Sequence, residues 1–235
     1  MIRFYAPDIK NTLELPEVES GHCIRVLRMH EGDEIHVTDG AGHAFVCEIT
    51  GASPKHTSVR IIEENDEPLH WSPQITLAVA PTKNMDRMEW LVEKGVEIGV
   101  NKVVFLNCLH SVRRVVKRER VEKIMVSAMK QSLKSTLPQL VEMIDFDKFI
   151  ASETSECRFM GYCDPKIERR EFACTYDGMS DICILIGPEG DFTPDEVNMA
   201  IDAGFMPVTF GNTRLRTETA ALYALCSAHT IITQR

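Results

Sequence analysis

Two glycine-containing segments near the C-terminus hold residue types that could bind a small ligand. Residues 182–192 read ICILIGPEGDF, a buried-strand pattern followed by a loop that contains Gly187 and Gly190. Residues 208–221 read VTFGNTRLRTETAA, in which an apolar run is followed by Gly211. Because glycine lets backbone amides and carbonyls approach a ligand closely, the two segments predict a site lined largely by backbone.

The first loop leads directly into a predicted helix. Thr193, Pro194 and Glu196 have the capping-box arrangement of N-cap, first and third helical positions. A loop between a strand end and a helix N-terminus is where α/β proteins bind ligands. The segment is neither a GxxxxGK[ST] phosphate loop nor a GxGxxG fingerprint, and Glu189 would repel phosphate. We therefore expect a ligand without phosphate here, and a tight strand–helix turn is the alternative.

The second loop carries charge at the start of the last predicted helix. Arg214 and Arg216 lie where the helix dipole disfavours positive charge, whereas Glu218 lies where it favours negative charge. Residues that break a local rule indicate function. The alternative is an ion pair of these arginines with Glu189 or Glu218.

Composition restricts the class of protein. The 235 residues carry a net charge of −9, and no apolar run approaches the roughly 20 residues that span a bilayer. The N-terminus lacks a signal-peptide pattern, and the eight cysteines form no CxxC pair, so we expect a cytoplasmic protein with reduced thiols and no membrane or metal site. Residues 113–134 hold eight basic and two acidic residues in an otherwise acidic chain. This basic segment predicts either a polyanion contact or a solvated helix face.

The chain divides into two predicted parts, residues 1–70 and 71–235. The first part is β-rich, with strands over 34–39, 43–50 and 57–62, a short helix over 18–29 and a linker over 63–73. Alternating strands and helices follow, which predict an α/β domain with a parallel sheet covered on both faces. The strands are expected at 74–80, 103–108, 140–144, 158–162, 182–186 and 206–210, and the helices at 85–100, 118–133, 194–203 and 218–232.

GPEGDFT followed by FGNTRLRTETAA resembles the signature of the small-subunit ribosomal RNA uridine N3-methyltransferase family (RsmE) of the SPOUT superfamily. The resemblance covers the whole chain. Residues 22–33 (HCIRVLRMHEGD) resemble the family's PUA-like barrel, and residues 93–100 (EKGVEIGV) resemble its first strand–helix unit. Three features depart from the family pattern: Lys134 stands in place of Arg, Asp191 stands in place of Gly, and the stretch HSVRR at 110–114 differs.

The resemblance implies a PUA-like RNA-binding β-barrel over 1–70 and a SPOUT methyltransferase domain over 71–235 with a parallel sheet and a trefoil knot. It further implies S-adenosylmethionine as cofactor, N3 of a specific uridine in 16S ribosomal RNA as methyl acceptor, and a homodimer. The implied cofactor-binding residues are Tyr162, Leu185, Gly187, Glu189, Gly190, Gly211, Leu215, Arg216, Thr217, Thr219 and Ala220.

For catalysis, we expect Arg216 to stabilise the uridine anion and Glu218 to accept the N3 proton. In the alternative, Glu218 orders Arg216 or caps the helix. The expected RNA-binding residues are Arg3, Arg25, Arg28, Arg113, Arg114, Lys130 and Lys134.

Three other functions compete with this one. A knotted methyltransferase could act on transfer RNA or on a ribose oxygen instead. An RNA-binding assembly factor would need no catalysis, but both glycine loops are intact. A nucleotide-using metabolic enzyme is disfavoured because no phosphate loop is present.

Overall fold

The computed structural model describes residues 2–164 and 167–235. The chain forms two compact units: Met1–His70 with Val126–Leu137, and Trp71–Met125 with Pro138–Arg235. The sequence placed a boundary at the same position, between residues 70 and 71. It differs from the structure in one respect, because it assigned residues 126–137 to the second part.

The first unit contains a five-stranded, barrel-like sheet in the order β1-β3-β4-β5-β2. Its elements are β1 (Arg3–Tyr5), α1 (Ile9–Thr12), β2 (Glu14–Leu15), α2 (Glu17–Gly21), a π-helical turn (His22–Val26), β3 (Glu34–Thr38), β4 (His43–Gly51) and β5 (Thr57–Asp66). β1 pairs with β3 in parallel, and the other pairs are antiparallel. The predicted hairpin of β3 and β4 is confirmed. Strand β5 continues four residues beyond the predicted strand, so the expected linker begins later than residue 63.

Alternating residues of this sheet form the core of the first unit. Ile35 and Val37 on β3 and Phe45, Cys47 and Ile49 on β4 are buried, as the period of two along a strand requires. The predicted helix over 18–29 is instead a short α-helix followed by the π-helical turn.

The second unit is built, over its described residues, on seven parallel strands in the order β10-β12-β9-β11-β6-β7-β8. The strands are β6 (Ile75–Val79), β7 (Lys102–Asn107), β8 (Gln139–Asp145), β9 (Cys157–Gly161), β10 (Arg170–Glu171), β11 (Ile182–Ile186) and β12 (Met206–Thr209). Every residue of β6 and of β11 is buried, which explains why all of them except Thr76 are apolar. The predicted parallel sheet is confirmed.

The helices of this unit are α3 (Met85–Ile98), α4 (Arg118–Gln131, whose last turns belong to the first unit), α5 (Phe146–Ser152), α6 (Pro194–Asp202) and α7 (Thr217–Thr233). The capping box predicted at Thr193 is formed: its hydroxyl accepts from the Glu196 amide, and the Glu196 carboxylate accepts from the Thr193 amide. Three short elements were not predicted, because none is long enough to show an apolar periodicity: helix α5, strand β10 and a 3₁₀ turn at Phe172–Cys174.

Strand order brings the two glycine loops together. Strands β12, β9 and β11 are neighbours and parallel, so their carboxyl ends meet at one edge of the sheet. Gly161 is the last residue of β9, and Gly187 directly follows β11. Gly211 comes two residues after the end of β12, with Phe210 between them. The trefoil knot stays a prediction of the resemblance. Within the described residues, no helix is both long and apolar enough to span a membrane, and no three His, Cys, Asp or Glu side chains are grouped as metal ligands.

Candidate active site

A cavity of about 860 Å³ lies at the carboxyl ends of β9, β11 and β12. Both predicted glycine segments line it, and residues 161–164 after β9 form a third wall. The described charged side chains that line it are Arg87, Asp164, Arg169, Glu189, Asp191, Arg214, Arg216 and Glu218.

The loop after β11 is bonded to two other segments of the second unit. The Thr217 hydroxyl donates to the Gly187 carbonyl at 3.1 Å, and Glu189 Oε1 accepts from the Lys83 amide at 3.1 Å. A Cβ on Gly187 would lie 3.2 Å from the Phe192 ring. Gly187 therefore permits a close approach of the loop to that ring, and Thr217 fixes the loop to the start of α7.

Gly211 is required for a different reason. Its φ of 97° lies in the left-handed region that glycine favours, and apart from its two chain neighbours no described residue has an atom within 4 Å of the position that a Cβ would take. A side chain here would therefore extend into open space at a residue that lines the cavity. The open position leaves the backbone of this loop accessible to a ligand.

Glu218 and Arg87 form a pair at the start of α7. Glu218 is only 7% exposed, and its Oε1 lies 3.6 Å from Arg87 Nη1. Its Oε2 is buried and has no hydrogen-bond partner among the described residues. A buried carboxylate oxygen without a hydrogen-bond partner lowers the stability of a folded protein. Such an oxygen can accept a hydrogen bond from a ligand that enters the cavity. Sequence reasoning missed Arg87, which lies in the first turn of α3 and carries no motif of its own.

The two arginines of the second loop are exposed and line the cavity. Arg216 is the N-cap residue of α7, and no described residue makes a hydrogen bond or ion pair with its guanidinium. Glu189 bonds the Lys83 amide and Glu218 pairs with Arg87. Among the described side chains, neither Arg214 nor Arg216 therefore forms an ion pair with Glu189 or Glu218, which was the alternative interpretation.

Most of the expected cofactor residues lie together. Those that line the cavity are Tyr162, Gly187, Glu189, Gly211, Leu215, Arg216, Thr217 and Ala220, together with the expected catalytic residue Glu218. Leu185, Gly190 and Thr219 lie outside the lining. Leu185 is fully buried in the core beneath the sheet edge, Gly190 packs against His110, and Thr219 is exposed on α7.

Two expected RNA-binding residues are corrected by the structure. Arg3 is buried, and its Nη1 donates to Glu67, to the Ser135 hydroxyl and to the Leu133 carbonyl at 2.7 to 2.8 Å. Lys130 Nζ lies 2.5 Å from Glu19 Oε1. Both cations are therefore engaged within the first unit and do not present their charge to a phosphate.

The other expected RNA-binding residues differ in exposure. Arg25, Arg28 and Arg114 are exposed, whereas Arg113 and Lys134 are half-buried. Arg113 donates to the Lys83 carbonyl, and Arg114 donates to Asn107 and to the Leu109 carbonyl. Exposure thus favours Arg25, Arg28 and Arg114 as phosphate contacts.

Fold and site together define an α/β protein with a small-molecule cavity lined by two glycine loops, beside an arginine–carboxylate pair. Residues 70–229 match the model of the RNA methyltransferase domain, and residues 15–62 match the model of the RNA methyltransferase PUA domain. The chain therefore belongs to the RNA methyltransferase family. The resemblance to the RsmE group stated from the sequence motifs is confirmed by relatives that carry this name.

Three relatives illustrate the match. A probable rRNA-methyltransferase from Porphyromonas gingivalis has a solved structure with 45% identity and a TM-score of 0.95, and the match covers 100% of this chain and 99% of that one. Ribosomal RNA small subunit methyltransferase E from Neisseria gonorrhoeae, solved bound to S-adenosyl methionine, has 28% identity, a TM-score of 0.86 and 98% coverage of both chains. Ribosomal RNA small subunit methyltransferase E of Bacillus subtilis is 28% identical over 91% of this chain and 88% of its own length.

Proposed function

We propose that this chain transfers the methyl group of S-adenosylmethionine to N3 of a uridine in small-subunit (16S) ribosomal RNA. The observation that carries the proposal is the cavity formed by two glycine loops beside Glu218, whose Oε2 has no partner among the described residues. The names of the Neisseria and Bacillus relatives supply the small-subunit RNA, and the Neisseria structure supplies the cofactor.

The residues present fit S-adenosylmethionine. The cavity of about 860 Å³ lies within the size range of small-molecule sites, roughly 300 to 1,000 Å³. Its walls contain Gly187 and the open, positive-φ Gly211, so that backbone groups can contact a neutral adenine and a zwitterionic methionine tail. The loop residues that would hold the cofactor are Tyr162, Gly187, Glu189, Gly211, Leu215, Arg216, Thr217 and Ala220. The backbones of Leu185, Gly190 and Thr219 remain proposed contacts by resemblance only.

Glu218 is the proposed proton acceptor. When bound, S-adenosylmethionine supplies an electrophilic methyl group. Uridine N3 carries a proton that must leave before the nitrogen lone pair can form its new bond to carbon, and a carboxylate within hydrogen-bond reach can take that proton. Glu218 Oε2 has no hydrogen-bond partner among the described residues, while Oε1 lies 3.6 Å from Arg87 Nη1.

Arg216 is the proposed stabiliser of the uridine anion. A guanidinium directed at the oxygen that gains charge lowers the energy of the transition state, and it costs no reorganisation if it is already in place. Arg216 lines the cavity, and no described side chain neutralises it. It is therefore free to serve a substrate.

The RNA backbone is the proposed partner of the exposed arginines Arg25, Arg28 and Arg114, with half-buried Arg113 and Lys134 as further contacts. A base must leave its stack to enter a cavity, so the target uridine is expected in single-stranded or splayed RNA. We also propose that the protein acts in the cytoplasm, as its N-terminal pattern and cysteine spacing led us to expect. A homodimer is proposed as well, and it rests on the resemblance alone.

The deciding experiment is nucleoside analysis of ribosomal RNA from a strain that lacks this gene. We expect N3-methyluridine to disappear from small-subunit RNA and to return with the wild-type gene but not with Glu218→Gln. Loss of a methylated nucleoside from transfer RNA, or loss of a ribose-methylated nucleoside, would identify the other knotted methyltransferases instead. No change in any methylated nucleoside would favour the assembly factor without catalysis.

A further inference from the structure

Asp191 links three loops around the cavity. It follows Gly190 with a φ of 59°, in the left-handed region that Asp adopts more readily than most residues. Its Oδ1 accepts from the Phe192 amide at 2.9 Å, and its Oδ2 accepts from the Cys163 amide at 3.1 Å. His110 Nδ1 lies 3.1 Å from its carbonyl oxygen. One residue therefore contacts the loops after β7, β9 and β11.

The bond to Cys163 joins two walls of the cavity. Residues 161–164 line one wall, and residues 186–191, apart from Gly190, line another. Arg169 also bonds the first wall, because its Nη1 donates to the carbonyls of Tyr162 and Cys163 at 3.0 and 3.1 Å. Arg169 lies in a different segment, however, whereas the carboxylate of Asp191 connects this wall to the glycine loop itself.

We propose that Asp191 is a positioning residue: its ionised carboxylate holds the Tyr162–Cys163 wall against the glycine loop and thereby sets the width of the cofactor cavity. The inference rests on the proposed function, because it takes the ligand of this cavity to be S-adenosylmethionine. An ionised carboxylate accepts a charge-assisted N–H bond at each oxygen, whereas a protonated carboxyl offers only weaker, neutral acceptors. Closure of the wall therefore depends on ionisation.

The surroundings of Asp191 change the pH at which its carboxylate becomes protonated. Burial raises the pKa of Asp191, while the Phe192 and Cys163 amides and the positive charge of Arg214 act in the opposite direction. The other titratable groups that face it are the Cys163 thiol, Tyr162 and His110. Because the pKa lies above the usual value for Asp, protonation and loosening of the wall occur at higher pH than for an ordinary aspartate. Cofactor affinity should therefore decrease as pH falls, and it should do so at higher pH than an ordinary aspartate would cause.

Two variants test the role of the carboxylate in the full-length protein. Asp191→Asn keeps the size of the side chain but turns an amide N–H₂ towards one of the two backbone donors. Asp191→Gly removes the carboxylate and relieves the positive φ, so that it stays folded even if the Asn variant does not. Asp177→Asn is the matched control, because Asp177 also accepts two backbone N–H bonds, from Met179 and Ser180, but does not line the cavity.

Binding of S-adenosylmethionine is measured by calorimetry from neutral to acidic pH, and methyl transfer is measured at saturating cofactor. We expect both Asp191 variants to weaken binding about tenfold at neutral pH, the effect of removing one charge-assisted hydrogen bond, with kcat within about twofold of wild type. Their affinity should no longer depend on pH, whereas Asp177→Asn and His110→Gln should keep the wild-type dependence.

The outcomes separate the inference from the proposed function. Wild-type protein that binds no S-adenosylmethionine would overturn the proposed function itself. Wild-type binding with unchanged affinity in both Asp191 variants would overturn only the inference. A pH dependence that survives in both Asp191 variants, or that disappears in His110→Gln alone, would also overturn it, by assigning the titration to another group.

Discussion

Arg216 and Glu218 lie two residues apart at the start of α7, but their surroundings are opposite. Arg216 is exposed and faces no described partner, whereas Glu218 is buried beside Arg87 with one free oxygen. An exposed guanidinium that lines the cavity is accessible to a substrate, while a buried carboxylate is held in one position by its surroundings. This contrast supports the two different roles that we propose for these residues.

Arg216→Ala should lower kcat by about 100-fold while changing the affinity for S-adenosylmethionine by less than about threefold, because the guanidinium acts on charge that appears only in the transition state. Steady-state methyl transfer and calorimetry measure the two quantities. Lys148→Ala is the control, since Lys148 is an exposed cation on α5 that pairs with Asp145 and does not line the cavity. Equal decreases in kcat and affinity would make Arg216 a cofactor-binding residue only.

Gly211→Ala should abolish measurable binding of S-adenosylmethionine, because the Cβ would extend into the open side of the cavity-lining loop. Gly32→Ala is a matched control: Gly32 also has a positive φ, 89°, and no described atom near a Cβ, but it lies in a turn of the first unit. Both substitutions should cost about 1 kcal/mol of stability from backbone strain. If the two variants bind the cofactor equally well, the position assigned to the second glycine loop is wrong.

Among the helices and strands, it is strand order that positions the glycine loops, rather than the sequences of the loops themselves. Strand β9 lies between β11 and β12, so the segment 161–164 becomes a third wall although it contains no motif. The buried strands and amphipathic helices were predictable because their apolar periodicities run over enough residues. The π-helical turn, β10 and α5 were not, because they are short and depend on packing against the rest of their unit.

Two exposed arginines at the π-helical turn are among the residues that we propose to contact RNA. Arg25 lies in the turn and Arg28 lies two residues beyond it with a φ of 56°, and both are exposed. The double variant Arg25→Ala with Arg28→Ala should reduce the slope of log K for RNA binding against log salt by roughly 0.7 to 0.9 for each phosphate that is no longer neutralised. Binding titrations over a series of salt concentrations measure the slope. Lys148→Ala should leave the slope unchanged, and an unaltered slope in the double variant would place the RNA on another surface.

Across the chain as a whole, the first unit is assembled from segments that are far apart in sequence. Arg3 on β1 donates to Glu67 and to residues 133 and 135, which follow α4. Burial raises the pKa of Glu67, but the hydrogen bonds from Arg3 and Ser135 outweigh it and hold that pKa below the usual value. The cluster thus stabilises the fold above the unfolded pKa of Glu67, and this contribution disappears as pH falls through the lower, folded pKa.

Arg3→Ala should destabilise the protein by about 1 to 3 kcal/mol, because it leaves Ser135, the Leu133 carbonyl and Glu67 without their common donor. Arg60→Ala, which removes an exposed pair with Glu48, should cost less than about 1 kcal/mol. Urea unfolding at neutral pH measures both. Salt-dependent weakening of RNA binding without a change in stability in Arg3→Ala would restore Arg3 as a phosphate contact.

Local residue types and spacing were sufficient to predict the elements with long periodicity, the parallel α/β class, the two glycine loops and the family. They could not predict that Arg87 pairs with Glu218, that Asp191 joins two walls, or that Arg3 and Lys130 are engaged internally. Each of these contacts joins residues distant in the chain. Their distances and burial follow from strand order and packing in the folded protein, which no local pattern encodes.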